Sequence, residues 1–293
     1  MNAIEIRDLR MSFGPQVVLD GIDLTVPRGA VFALLGPNGA GKTTMINILS
    51  TLLRPDAGMA RVCGHDVITE PEAVRRVISV TGQNVAVDQL LTGEENLRLV
   101  ARLSGLDRRA AGQAVERLLT QFELTDAARR RVGRYSGGMR RRLDLALGLV
   151  STPEVVFLDE PTTGLDTMSR QSMWSNISRL AGDGVTILLT TQYLEEADQL
   201  ADEVALINNG RVVVQGKPAT LKALVGSERL ELRRRSDDAL VAEIPVDGTP
   251  ASVRSALDRL GDGDGDGYVV LRKPTLDDAF VLLMSAPVLA EVA

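Results

Sequence analysis

One cysteine, Cys63, and one histidine, His65, are all that 293 residues supply of the side chains most used for disulfides and structural zinc. A disulfide framework within the chain is therefore excluded, and too few ligands remain for a His/Cys zinc site. Aromatic residues make up only 3% of the chain, and its longest apolar stretches (residues 30–35, 145–150 and 279–284) run six residues each. A membrane-crossing helix needs about 18 or more. Glu5, Arg7, Asp8 and Arg10 stand where a secretion signal would need an apolar segment. Positive charge is also in deficit, with 33 Lys and Arg against 39 Asp and Glu and a net charge of -6. Proteins that bind nucleic acid by neutralising phosphates are usually basic, so no nucleic-acid partner is expected. The triplets at 129–131, 140–142 and 233–235 are arginines without interleaved aromatics, and they read as solvated or phosphate-proximal faces. The expectation is a soluble cytoplasmic chain that would meet a membrane only through a partner.

What is present is an ordinary globular composition, 44% hydrophobic and 25% charged, long enough for about two domains. Short runs of Val, Ile and Leu alternate with helix-period stretches, the pattern of βα units around a mostly parallel sheet. Residues 30–35, 155–158 and 185–189 are nearly continuous in apolar character, as strands buried on both faces are. Residues 4–11 and 17–26 alternate more and suggest an antiparallel edge. Asn209-Gly210, between apolar runs at 205–207 and 211–214, predicts a hairpin. From about 87 to 150 the pattern turns helical. Thr92 and Glu95 form a capping-box sequence, a second helix starts at Asp107, and a third follows Ser136. Beyond Lys217-Pro218 the composition shifts. The predicted division is a domain over 1–226 containing the helical segment, then a small α/β domain over 227–293.

Residues 36–43, Gly36-Pro37-Asn38-Gly39-Ala40-Gly41-Lys42-Thr43, fit the phosphate loop G-x-x-x-x-G-K-[ST]. An apolar strand precedes it, and a helix-period segment with Met45, Ile46, Leu49, Leu52 and Leu53 follows. Glycines let several amides point at one anion, a helix N-terminus adds partial positive charge, Lys42 supplies a point charge, and the Thr43 hydroxyl suits Mg²⁺. Val155-Val156-Phe157-Leu158 ends in Asp159 and Glu160. Asp159, at the strand end, suits Mg²⁺, and Glu160, pointing differently, suits a general base on the attacking water. Together these define a nucleoside-triphosphatase. Ser136-Gly137-Gly138 opens another helix with an N-cap and two glycines, giving a second anion-suited helix start with only one nucleotide loop.

These marks resemble the nucleotide-binding subunit of ATP-binding-cassette (ABC) transporters over about residues 4–225. The resembling residues are 36–43, Gln83, Ser136-Gly137-Gly138, Asp159-Glu160, Thr163-Gly164-Leu165-Asp166 and Thr190-Thr191-Gln192. The resemblance implies a P-loop cassette with a mostly parallel core sheet, an antiparallel β edge and a helical subdomain. It implies ATP and Mg²⁺ as cofactors and a head-to-tail homodimer in which one copy's loop and the other's Ser136 segment enclose each ATP. By the same resemblance Phe13 would stack on adenine, although a lone Phe is equally a core residue. Thr44 would join the loop's phosphate contacts. Gln83 would sense Mg²⁺ and the attacking water and face a separately encoded membrane permease near residues 85–91. Ser136, Gly137 and Gly138 would contact the opposite γ-phosphate, and Asp166 would link the two sites. The chain would then work at the cytoplasmic face of the membrane.

Two departures from the family pattern stand out. Tyr135 and Met139 replace the usual Leu and Gln around Ser136-Gly137-Gly138, leaving the serine and glycines in place. Gln192 stands where the family usually has His, so a neutral amide replaces a titratable donor. Residues 135–142, 190–198 and 274–280 are similar to cassettes of the daunorubicin-resistance type, which export drug-like molecules and also carry Gln there. With Glu160 present, hydrolysis is expected to persist. A soluble cassette ATPase acting on DNA or ribosomes is the alternative; the chain has no room for the long inserted coiled coil of the DNA-acting kind, and one cassette where the ribosomal kind has two. A GTPase is disfavoured because no Asn-Lys-x-Asp motif is present. The Asp262-Gly-Asp-Gly-Asp-Gly267 stretch opens like a calcium loop, but its twelfth position is Lys273 in place of Glu, so it is read as a solvated turn.

Overall fold

A computed structural model describes residues 2–82, 86–260 and 267–285. It divides into two compact units, residues 1–215 and 216–293. The division falls beside the compositional shift at Lys217-Pro218 and ahead of the predicted boundary at 226/227, because the short helix α8 (Pro218–Ala223) packs against the last helix of the second unit.

The first unit holds two sheets. One is antiparallel, in the order β2-β1-β4-β5, from β1 (Asn2–Phe13), β2 (Gln16–Pro27), β4 (Ala57–Val62) and β5 (His65–Asp66). The other has the order β10-β9-β3-β8-β7-β6, from β3 (Val31–Leu35), β6 (Ile78–Thr81), β7 (Val155–Asp159), β8 (Thr186–Thr191), β9 (Glu203–Asn208) and β10 (Arg211–Gly216). The strands from β9 through β6 pair in parallel. Every residue of β3, β7 and β8 is buried, which is why these strands carry almost no polar alternation. The β9–β10 turn places Asn209 at φ 47° and Gly210 at φ 74°, the positive pair that a type I′ hairpin demands.

Helix α1 (Lys42–Leu49) lies in one core with both sheets. Met45, Ile46, Ile48 and Leu49 join Ile4, Ile6, Leu19 and Ile22 of the antiparallel sheet and Phe32, Leu34 and Phe157 of the parallel one. The helix is shorter than its sequence pattern suggests. It ends at Leu49, Thr51 turns to φ 65°, and Leu52 is exposed. The antiparallel edge takes in β4, which carries a glycine and an arginine among few apolar residues, and β5, which is only two residues long. Between them and the core sheet lies α2 (Pro71–Val77), with proline at its first turn, where no amide bond is lost.

Helices α3 (Gly93–Leu103), α4 (Arg108–Gln121) and α5 (Gly137–Gly148) form the helical segment. Thr92 and Glu95 close the capping box, with Thr92 Oγ1 accepting from Glu95 N at 3.2 Å and Glu95 Oε2 from Thr92 N at 2.8 Å. Asp107 caps α4 one way only, its Oδ1 accepting from Ala110 N at 2.8 Å. Helices α6 (Thr167–Gly182) and α7 (Leu194–Leu200) complete the unit. Among the described residues no helix is long and apolar enough to cross a membrane.

The second unit contains β11 (Glu228–Arg234), β12 (Leu240–Val246), α9 (Pro250–Leu260), β13 (Gly267–Arg272) and α10 (Leu276–Ser285). Its sheet runs β12-β11-β13, and α9 covers one face through Val253, Ala256 and Leu260 against Leu230, Ile244 and Val246. The run read as a solvated turn between α9 and β13 lies almost wholly outside the described residues.

Candidate functional site

Parallel strands whose connections run through helices end together, and ligands of such sheets sit at their carboxyl ends. Here Leu35 pairs with Thr191 and Asp159 with Thr190, so the ends of β3, β8 and β7 are level. The loop 36–41 leaves β3 at this edge and runs into α1. Its glycines are required by the backbone: Gly36, Gly39 and Gly41 have φ 153°, 81° and 103°. A methyl on Gly36 would collide with the Ile207 carbonyl, and one on Gly41 would lie 2.6 Å from Leu19 Cδ2 and 2.9 Å from Val18 O. The loop is thus pressed against β9 on one side and β2 on the other, while Gly39 faces open space.

Lys42 is almost buried, and its Nζ donates to the carbonyls of Gly36 (2.7 Å) and Pro37 (3.0 Å). Burial draws its pKa down, and the charges of Glu160 and Asp159 oppose that. Thr43 Oγ1 donates to Asp159 Oδ2 at 3.0 Å, and Thr190 Oγ1 to Asp159 Oδ1 at 2.6 Å. A hydroxyl and a carboxylate this close offer the hard oxygen donors that Mg²⁺ takes. Asn38, Gly39, Gly41, Lys42, Thr43 and Thr44, with Gln16, Val18 and Glu160, line a cavity of about 500 Å³. Pro37 is exposed on the loop and Ala40 buried beneath it.

Glu160 occupies a conformation that L-residues avoid, with φ 49°. Such a backbone costs about 1–3 kcal/mol and persists only where neighbours hold it. Its amide donates to Thr190 O and Thr190 Oγ1, both at 3.1 Å, and its carboxylate accepts from Thr163 Oγ1 at 3.1 Å. Glu160 also lines a second cavity, of about 240 Å³, with Gly137, Arg140, Arg141, Thr163, Gly164 and Leu165.

Ser136 caps α5, its Oγ accepting from Met139 N at 3.2 Å. Gly137 has open space where a side chain would be. Gly138 does not; a methyl there would run into Ser169 of α6, so this glycine is demanded by packing inside the chain. Tyr135 is buried, and its hydroxyl donates to Ala127 O at 2.7 Å. Asp166 caps α6 from an exposed position, accepting from Ser169 N (2.8 Å) and Ser169 Oγ (3.0 Å), which holds its carboxyl below the usual range. Phe13 is 48% exposed at the end of β1, so it is not a core residue, and it pairs with cavity-lining Gln16. Gln192 is exposed just past β8. Gln83 lies outside the described residues.

One reading from sequence is corrected. Arg141, taken with its neighbours as part of a solvated or phosphate-proximal face, is 5% exposed and lies among the backbone carbonyls beneath Glu160. Burial lowers its pKa and raises that of its neighbour Asp144, each shift opposed by the partner's charge. Thr190 and Thr163, named in the sequence only as parts of longer motifs, were given no role of their own. A hydroxyl at a strand end is not distinctive until the sheet register sets it beside Asp159.

A phosphate loop, a Thr–Asp oxygen pair and a carboxylate beside them define a P-loop nucleoside-triphosphatase, and the separate α5 start marks the cassette kind. The chain belongs to the ABC transporter family, as one of its ATP-binding, ATP-hydrolysing subunits; the family model described as ABC transporter matches residues 19–163. It is 46% identical to the daunorubicin resistance ATP-binding protein DrrA3 of Streptomyces coeruleorubidus, over 96% of this chain and 95% of that one. It is 45% identical to the doxorubicin resistance ATP-binding protein DrrA of Mycobacterium tuberculosis (strain CDC 1551 / Oshkosh), over 97% and 94%. Among solved structures, a dimeric ATP-binding cassette in a post-hydrolysis state bound to ADP and Pi shares the fold, with TM-score 0.65 at 23% identity over 73% of this chain and 98% of that one.

Proposed function

We propose that this chain powers the export of a drug-like molecule through a separately encoded integral-membrane permease, working at the cytoplasmic membrane face as a nucleotide-sandwich homodimer. The observation that carries the chemistry is the placement of Glu160 on the cavity that also presents Lys42 and Thr43. Loop amides and Lys42 bind the β- and γ-phosphates, and Phe13 stacks on the base. Glu160 takes the proton of the attacking water as general base. Thr43, Asp159 and Gln83 would hold Mg²⁺, which would supply charge neutralisation for the phosphates. The residues fit such an ion, since the Thr43 and Asp159 oxygens already converge.

The exposed glycine at Gly137, the Ser136 cap and Asp166 at the adjoining helix start suit an anion brought by a second copy. The dimeric cassette of the same fold supports that arrangement. Gln192 supplies a neutral donor toward the γ-phosphate, so turnover does not depend on titration at that position. The drug-resistance names of the relatives support export.

Phosphate release from Mg·ATP tests the enzymatic core. Purified protein should hydrolyse ATP, and Glu160→Gln should reduce the rate by about 10²-fold or more while trapping an ATP-dependent dimer in size-exclusion chromatography. Equal rates in the two proteins, or a variant that stays monomeric with ATP, would overturn the reading. Transport is tested by drug accumulation in cells expressing the chain with its permease, where Glu160→Gln should abolish the energy-dependent decrease.

A further inference from the structure

Arginine has five N–H donors in a planar fork, and Arg141 uses that fork almost entirely on main chain. Its Nε donates to Pro161 O at 3.0 Å and Nη2 to Asp159 O at 3.2 Å and Glu160 O at 3.4 Å. Nη1 donates to Gly82 O at 2.6 Å and meets Asp144 Oδ2 at 3.5 Å. Asp144 in turn accepts from Ala86 N at 2.9 Å through Oδ1. Both side chains are more than nine-tenths buried. The pair therefore grips three successive carbonyls of the turn that carries Glu160, and also the described residues on either side of 83–85.

The need for such a grip is visible at Glu160 itself, where a left-handed backbone must be held from both sides. Thr190 secures its amide, and Arg141 secures the carbonyls before, at and after it. Arg141 lies one turn into α5, the helix whose N-terminus is Ser136.

We propose that Arg141, braced by Asp144, is a positioning residue for the hydrolytic step: it aims the Glu160 carboxylate of its own protomer. This rests on the assignment of Glu160 as general base in a nucleotide-sandwich dimer. It differs from any role of α5 toward nucleotide through Ser136, because that contact serves the opposite site.

Lysine keeps the charge but not the fork, so Arg141→Lys should lower kcat by about tenfold or more, with KM for ATP changed less than about twofold. Asp144→Asn, isosteric and neutral, should lower kcat in the same direction and is the variant to use if Arg141→Lys fails to fold. Mixed dimers separate the two protomers' contributions. Pairing Arg141→Lys with Glu160→Gln should be nearly inactive, since each copy then has an impaired base. Pairing the double variant Arg141→Lys/Glu160→Gln with unaltered protein should keep about the activity of unaltered protein paired with Glu160→Gln alone. The reverse ranking, or full kcat in both folded single variants, overturns the proposal. Hydrolysis by Glu160→Gln homodimers equal to that of the unaltered protein would instead overturn the assignment of the base itself.

Discussion

Glu196 is fully buried in the first turn of α7, four residues after Gln192, and its carboxylate accepts from Trp174 Nε1 at 3.1 Å. Burial pushes its pKa up, opposed by the Thr191 hydroxyl, by Trp174 and by the charge of Arg170. A carboxyl that the fold prefers protonated supports stability at low pH and loses that support as pH rises through its folded-state value. Glu196→Gln should therefore raise the thermal midpoint at pH 8 more than at pH 5; a pair of melts at the two values decides it. None of this is readable from the string of residues, because Glu195-Glu196 looks like a solvated first helical turn. The same holds for Arg141. An arginine inside a triplet resembles surface until the register of β7 puts three carbonyls within its reach. Lys42, Asp159 and Glu160 were legible because their chemistry depends on local order along the chain, a loop after one strand and two acids after another.

At the level of elements, helix starts were the most legible feature. Thr92, Asp107 and Ser136 each accept from an amide three residues on; Asp166 does the same at the start of α6, a helix start not read from the sequence. That geometry is local, so sequence spacing suffices to find it. Thr92→Ala removes one half of the capping box and should cost about 1 kcal/mol, read as a lower denaturation midpoint with an unchanged denaturant slope. Strands β3, β7 and β8 were legible because burial on both faces leaves no polar interruption. Strands β4 to β6 and helix α2 were not, being weakly patterned. The far end of α1 misled because Leu52 keeps helical spacing beyond the point where Thr51 turns the chain.

For the molecule as a whole, every described residue assigned to nucleotide chemistry falls within the unit spanning 1–215. The second unit holds a separate small core of Leu230, Val246 and Ala256. Domains with their own cores fold independently. A chain ending at Gly216 should thus fold and bind Mg·ATP with unchanged affinity, measured by titration calorimetry; loss of binding in a folded truncation would show that the second unit completes the site. The composition shift beyond Lys217-Pro218 falls at this division, while the predicted boundary at 226/227 leaves α8 with the first domain although it packs with the second unit.

The contact between Gly138 and Ser169 has a consequence of its own. Two helices that begin at exposed points, Ser136 and Asp166, are seated one upon the other so closely that the space at 138 does not admit a methyl group. Any bulk added at 138 would act as a wedge, splaying both helix starts at once, so that damage blamed on a lost ligand contact would begin as a misfit within one protomer.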